Sequence, residues 1–242
     1  MQLSRYSRLR VGVAFGGLLA LLGITTVASE ASHTTITSYD HFLWATTTWN
    51  NYKVYLSSPR HSNSRYRGEC GWEENANGRH WNMYSGGSTP SVPGNDLAAR
   101  GYHVVVSANA RDDGWLINRT ASNNWGADLH VVTHTNADDG CPDSVQYLLV
   151  MYRDGNQNSI GLKNRFISAL DPKVPGGNAS WNCYGVWGEC AAQAPHVAYV
   201  ELFFHDNQPA VDWFQTDYGN GDAVYQHSWR YGYAVDLHLG YP

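Results

Sequence analysis

The sequence predicts an α/β domain: a single, largely parallel or mixed central sheet with helices on both faces. Three observations carry this. Several segments are short, nearly continuous runs of Val, Leu, Tyr and Phe, the pattern of strands buried on both faces. Helical patterns alternate with them along the chain. About 210 residues remain once the apolar amino terminus is set aside, a normal size for one such domain, and neither an internal repeat nor a second domain is visible.

The amino terminus, MQLSRYSRLRVGVAFGGLLALLGITTVASEAS, combines Arg5, Arg8 and Arg10 with an apolar run from Val11 to Gly23 and small residues near Ala28 and Ala31. It reads as a secretory signal peptide over residues 1–28, cleaved between about 28 and 31, and is too short for a comfortable membrane span. An exported protein is therefore expected, located outside the cell or in the cell wall, with no stable membrane association after cleavage. Residues 29–51 form a polar and aromatic lead-in with no assigned structure, and the folded domain is expected over 52–242.

Within that domain NYKVYLSS (51–58) alternates like a strand and stops at Pro59. WEENANGRHWNMYSGG (72–87) reads as a short helix ending at Gly86 and Gly87. DLAARG closes another expected helix, and YHVVVSAN (102–109) is a strand. GWLINRTASNNWG (114–126) is helical, ADLHVVTH (127–134) and VQYLLVMY (145–152) are strands, and LKNRFISAL (162–170) is a helix. VAYVELFF (197–204) is the fifth strand. AVYQHSWRYGYAVDLHLGY (223–241) fits a last amphipathic helix.

Charge excludes one partner class. The chain has 16 Lys and Arg against 21 Asp and Glu, and loss of the three leader arginines takes the net charge to near −8. A nucleic-acid partner would need a Lys/Arg face to meet its phosphates, and the acidic balance argues against one. Ten Trp and sixteen Tyr suit sugar stacking, but they suit a core of large side chains with polar tips at least as well. Four cysteines, Cys70, Cys141, Cys183 and Cys190, make an even count that in an exported chain implies two disulfides. Cys183 and Cys190 flank only YGVWGE, so a local bridge between them is expected.

In open α/β sheets, sites form beyond the carboxyl ends of the strands. His61 follows the first strand, His134 ends the third, and Glu201 lies in the fifth with His205 four residues on. His130 and His134 point to the same face of one strand but stand about 13 Å apart, too far to share an ion. His134 is the ligand candidate and His130 an ordinary, hydrogen-bonded resident of the sheet. A catalytic zinc takes three protein ligands and keeps one position open. His61 and His134 would supply two, and the adjacent acids Glu73 and Glu74 offer the third.

At these residues the chain resembles the zinc-dependent N-acetylmuramoyl-L-alanine amidases of the amidase-3 type, over about residues 52–240. The resemblance rests on YLSSPRHS for the first ligand and GWEENAN for the helix-opening Glu. It continues with Arg119 and Asn123 or Asn124 for an R…AN element, HTNA for the third ligand, and APHVAYVELFFHDN for the catalytic Glu segment. The sequence departs from the pattern after His61, where SNSRYRGECG replaces a Gly-rich stretch. Asn77, four residues after Glu73, favours Glu73 as the ligand, whereas Gly71, three before Glu74, favours Glu74; the reading leans to Glu73.

The resemblance implies that His61, Glu73 or Glu74, and His134 bind one Zn²⁺ and that Glu201 is the catalytic base. It implies cleavage of the amide between N-acetylmuramic acid and the first L-alanine of peptidoglycan stem peptides, by a monomer. If those ligands meet at one ion, Cys70 and Cys141 come to the same rim of the sheet, and a Cys70–Cys141 bridge is expected beside Cys183–Cys190. Two other function classes are carried. A metallocarboxypeptidase-like zinc peptidase would need a cation for a terminal carboxylate, which no arginine obviously supplies. A catalytically inactive secreted glycan-binding protein would use the tryptophans and no metal. His205 and Asp206 could orient the site or bind substrate, or could belong to a solvated loop, and no ligand role is expected for His80, His196, His227 or His238.

Overall fold

The computed structural model describes residues 39–59, 74–87, 95–109, 111, 113–138, 143–183, 188–215 and 223–241. They lie within one compact unit, Ile36–Pro242. Seven strands form one mixed sheet: β1 (Tyr39–Leu43), β2 (Lys53–Pro59), β3 (His103–Asn109), β4 (Leu129–Asn136), β5 (Leu148–Tyr152), β6 (Asn178–Asn182) and β7 (His196–Phe204), in the spatial order β1-β3-β2-β4-β7-β5-β6. The central four, β3, β2, β4 and β7, are parallel. At the two margins β1 pairs antiparallel with β3, and β5 antiparallel with β7.

Helices cover both faces, as the apolar runs require. Helix α1 (Glu74–Gly86) packs on β2, β3 and β4. Helix α2 (Gly114–Trp125) packs on β2 and β3, and helix α3 (Gln157–Leu170) on β5 and β7. Helices α4 (Gln208–Gln215), α5 (Ala223–His227) and α6 (Arg230–Leu239) complete the fold, α6 lying against α3. Strand alternation divides the interior in two. Val54, Leu56, Val104, Val106, Leu129, Val131, Val150, Ala198 and Val200 point into the larger core with Trp81, Phe166 and Tyr231 from the helices. Tyr55 and Val105, with Val132, Leu149, Met151 and Tyr199, line the other face.

Local signals explain the helix ends. Gly126 closes α2 in the left-handed conformation, φ 70°, its N–H returning to the Asn123 and Ser122 carbonyls. Asn156 starts α3, its side chain accepting from the Ser159 N–H at 2.9 Å.

The structure departs from sequence expectation in four places. The lead-in supplies β1, and NASWN supplies β6. Both are edge strands, so one side of each is free of a neighbouring strand and neither needs the apolar run that marks an interior strand. DLAARG is a turn: the Asp96 carboxylate accepts from the Ala99 N–H at 2.8 Å, and Gly101 has φ 92°. A side chain that bonds its own backbone in this way competes with helix formation. The final amphipathic segment is two helices, because the chain turns at Ser228–Trp229, where the Ser228 carbonyl accepts from the Ser85 hydroxyl at 2.9 Å. This turn re-aims α6 so that Tyr231, Ala234 and Val235 are buried.

Polar side chains also cross the interior at the carboxyl half of β2, β3 and β4. Asn118 of α2 donates to Ser57 Oγ at 2.9 Å and accepts from Ser107 Oγ at 3.1 Å, and Ser107 also meets Asp40 of β1. On the opposite face Thr133 Oγ1 donates to Asn82 Oδ1 at 2.7 Å and contacts the Tyr231 hydroxyl at 3.1 Å, while Asn82 donates to the Ser57 carbonyl. A buried donor or acceptor that loses its partner costs about 1–3 kcal/mol. Asn118→Ala strips one partner from each of Ser57 and Ser107. It is expected to lower stability by about 2 kcal/mol or more, read as a shift in the urea midpoint at unchanged slope.

Candidate active site

His134 and Glu201 are cross-strand partners on the parallel neighbours β4 and β7. Paired residues of adjoining parallel strands present side chains to the same face about 4.8 Å apart. Both lie near the carboxyl end of the sheet, where open α/β folds build their sites. His134 is only 1% exposed, and Glu201 is half-buried. The His134 ring tilts against Tyr199, centroids 5.3 Å apart, two residues before Glu201 on the same face. Just beyond His134 the pairing shifts between His134 and Asn136, a bulge of the kind that re-aims side chains at sheet rims.

Glu74, one of the two expected acid ligands, opens α1, and the start of that helix is laid against His134's strand by a glycine. A Cβ on Gly78 would stand 2.2 Å from the Thr133 carbonyl oxygen and 2.5 Å from Ser58 Oγ. Gly78 lies one turn beyond Glu74, so the absent side chain lets the backbone at the head of α1 touch the carboxyl ends of both β2 and β4. His61, Glu73, Cys70 and Cys141 lie outside the described residues, as does the Glu74 side chain. Among the described residues no three His, Cys, Asp or Glu side chains gather as a metal-binding group.

The loop after β7 is buried, which settles one of the two readings of His205 and Asp206: it is not a solvated segment. His205 is 2% and Asp206 0% exposed. The His205 N–H donates to the Asn136 carbonyl at 2.8 Å, and its Nδ1 meets the Thr135 hydroxyl at 3.0 Å. The Asp206 carboxylate accepts from the Asp138 N–H at 2.7 Å. These bonds tie the HTNAD segment after His134 to the HDN segment after Glu201.

Tyr147, which sequence reasoning did not single out, belongs here. Burial first, and then the negative charges of Glu201 and Asp138, push its phenol above the usual range, so it stays protonated beside the carboxylate. Its signal was absent from the chain order, because Tyr147 reaches Glu201 only through the antiparallel pairing of β5 with β7.

His130 is structural, as expected. It is fully buried, Nδ1 2.8 Å from Ser122 Oγ and Nε2 2.5 Å from Glu189 Oε2, with Tyr55 stacked on it at 5.4 Å. Glu189 sits in the short 3₁₀ turn Gly188–Ala191, and the Cys183–Cys190 disulfide, expected from spacing, anchors that turn to the end of β6. Arg119 and Asn123 brace the same segment, Arg119 donating to the Gly188 carbonyl at 2.9 Å and Asn123 accepting from the Gln193 N–H at 2.7 Å. Asn123 rather than Asn124 therefore makes the contact. His196 and His238 hydrogen-bond to each other at 2.7 Å at the amino-terminal edge of β7, away from the site.

No protein-family model matches the chain, and no curated protein matches it. Solved structures do match it in fold. The catalytic domain of CwlV, an N-acetylmuramoyl-L-alanine amidase from Bacillus (Paenibacillus) polymyxa var. colistinus, is 11% identical, with a TM-score of 0.58 over 79% of this chain and 99% of that one. The N-acetylmuramyl-L-alanine amidase Ami1 of Mycobacterium smegmatis is 13% identical, with a TM-score of 0.57 over 81% of this chain and 100% of that one. Cwp6 from Clostridium difficile, 16% identical, matches with a TM-score of 0.58 over 78% of this chain, which spans 29% of that longer protein. The chain has the fold of N-acetylmuramoyl-L-alanine amidases.

The close approach at Gly78 can be tested alone. In an ordinary helix Gly→Ala stabilises by up to about 1 kcal/mol. Here the added methyl meets backbone, and overpacking of this kind costs about 1–3 kcal/mol. Gly78→Ala should lower the thermal midpoint, whereas a raised midpoint would mean that α1 does not rest on Thr133.

Proposed function

We propose that this protein is an exported, zinc-dependent N-acetylmuramoyl-L-alanine amidase, cleaving the amide between N-acetylmuramic acid and L-alanine in peptidoglycan. One observation carries the reading: in a fold shared with such amidases, a buried histidine and a half-buried glutamate stand in register on adjoining strands at the carboxyl edge. That location supports ligand and catalytic roles for HTNA and VELFFHDN. A carboxylate set in the apolar run VAYVELFF needs a compensating partner, and a metal site is one.

The proposed ligands fit zinc by donor chemistry. Imidazole nitrogen from His61 and His134 and a carboxylate from Glu73 or Glu74 are the N and O donors that zinc takes in catalytic sites. When bound, zinc supplies a Lewis acid that lowers the pKa of coordinated water and polarises the scissile carbonyl. The protein supplies the rest. Glu201 accepts the proton of the attacking water and returns it to the leaving amine of L-alanine. Burial and the negative charge of Glu201 keep the nearby Tyr147 phenol protonated. The clamp of His205 and Asp206 on the residues after His134 keeps the imidazole at a constant height on the rim. Residues 1–28 as a cleaved leader, the extracellular or cell-wall location, a monomeric state and a Cys70–Cys141 bridge belong to the same proposal. Non-reducing peptide mapping of the mature protein reads the bridge directly.

Purified mature protein is expected to hold about one Zn²⁺ and to release free stem peptides from peptidoglycan. His134→Ala should lose the metal and keep the fold. Glu201→Gln should keep the metal while turnover falls by roughly 10² or more. Hydrolysis that survives complete chelation, or a Glu201→Gln variant that works at the wild-type rate, would sink the proposal.

The adjacent acids separate in a further measurement. Neighbouring helical residues point about 100° apart, so alanine at the ligand position should weaken zinc affinity by orders of magnitude and alanine at the other should change it little. Small, equal effects at Glu73 and Glu74 would place the third ligand elsewhere.

A further inference from the structure

A group of exposed aromatic side chains lies far from the site. Phe42, Trp44 and Trp49 are 53%, 62% and 42% exposed, and they fall within one short stretch that leaves β1 and enters β2. They stand at the amino-terminal edge of the parallel strands, opposite His134 and Glu201. Strands of seven or eight residues put about 20 Å between the two edges.

These rings are held in place. The Trp49 indole lies flat on the His103 imidazole, centroids 4.6 Å apart and planes 2° apart, and Trp44 meets the same ring edge-on at 4.8 Å. His103 Nδ1 accepts from the Ala45 N–H at 3.1 Å, and the Trp49 indole N–H donates to the Tyr52 carbonyl at 3.4 Å. Tyr52 in turn meets the exposed Tyr241 edge-on at 6.0 Å. The stretch is bonded to the turn beneath it, Thr46 N–H to the Ala98 carbonyl and Asn50 N–H to the Gly101 carbonyl, each at 3.0 Å. A ring already immobilised loses little freedom when a ligand arrives, which is what makes an exposed aromatic a binding group.

We propose that Trp44 and Trp49, with His103 and Tyr241 beside them, form a saccharide-binding platform distinct from the hydrolytic site and suited to a neutral glycan chain. The chemistry selects this occupant. From His41 to Tyr52 the sequence, HFLWATTTWNNY, contains no Asp, Glu, Lys or Arg. That stretch itself supplies no cation for the phosphates of a nucleic acid or an anionic lipid. It presents exposed indole rings beside the exposed polar residues Thr48 and Asn51, while Thr46, Thr47 and Asn50 bond the backbone of the stretch and of the turn beneath. A pyranose has the complementary construction, an apolar C–H face with a rim of hydroxyls, and rigid aromatic rings provide the large contact area such a face needs. The separation from the carboxyl edge means that only a polymer could engage both places at once, so the platform would hold a strand while cleavage proceeds elsewhere on it.

The test uses the mature protein and a hexamer of N-acetylglucosamine, which carries no stem peptide and is not an amidase substrate. Calorimetric titration should register binding, and Trp44→Ala/Trp49→Ala should weaken it by about tenfold or more. The thermal midpoint and the hydrolysis of a small soluble muropeptide should stay unchanged, and Trp44→Phe should retain part of the affinity. Should the double variant lose stability, the Trp44→Phe and Trp44→Ala pair gives the same comparison. An unaltered affinity in the variants, or no binding by the wild-type protein, overturns the proposal. It is overturned equally if the substitutions abolish association with a protein while leaving saccharide binding intact. Loss of amidase activity in the unaltered protein would strike the preceding proposal and leave this one standing.

Discussion

The pairing of β4 with β7 is the constraint on which the site depends. His134 and Glu201 face the same way only because Leu129 starts opposite His196 and the register runs unbroken to that pair. A slip of one residue would turn one of the two to the other face of the sheet. The register is clamped at both ends. At the amino end the His196 N–H donates to the Asp128 carbonyl, and Asp128 also receives the Lys53 N–H from β2. At the carboxyl end His205 and Asp206 bond the backbone beyond His134, and the Asp143 N–H donates to the Asp206 carbonyl at 2.7 Å. The bulge after His134 sits between these clamps and brings the Thr135 hydroxyl to the His205 ring.

The interior carries more polar side chains than an apolar core needs, and they fall where strands must be held relative to helices. Asn118 and Asn82 approach Ser57 from opposite faces, one through its hydroxyl and the other through its carbonyl. A satisfied buried hydrogen bond adds only about 1 kcal/mol net, but an unsatisfied one costs more. Such bonds therefore select one arrangement of helix on sheet by penalising the others. They also fix the height of α1, whose approach at Gly78 tolerates no side chain.

The Ser122–His130–Glu189 set illustrates how residue type alone misleads. A serine, a histidine and a glutamate in a hydrogen-bonded row are the ingredients of nucleophilic hydrolysis. All three are fully buried, so no substrate reaches them. Their work is to hold the disulfide-anchored 3₁₀ turn against the sheet. The same strand thus carries a structural histidine at its middle and the proposed ligand histidine at its end, and depth along the strand separates them.

Much of this was legible in the chain order. The interior strands announced themselves as apolar runs, α2 ended at the glycine that closes it, and the carboxyl-edge rule selected His134 over His130. Glu201 stood out because a carboxylate inside an apolar strand demands a reason. These are local properties, written in the period of side chains along a segment. Tertiary structure alone decided the edge strands YDHFL and NASWN, the reversal of β5 and β6, the turn at Ser228, the burial of His205 and Asp206, and the position of Tyr147 beside Glu201. Edge strands need not be apolar on both faces, so their composition carries little signal. Strand order and cross-strand neighbours depend on long-range packing, in which many weak contacts between distant segments compete, and no periodicity within a segment records the result.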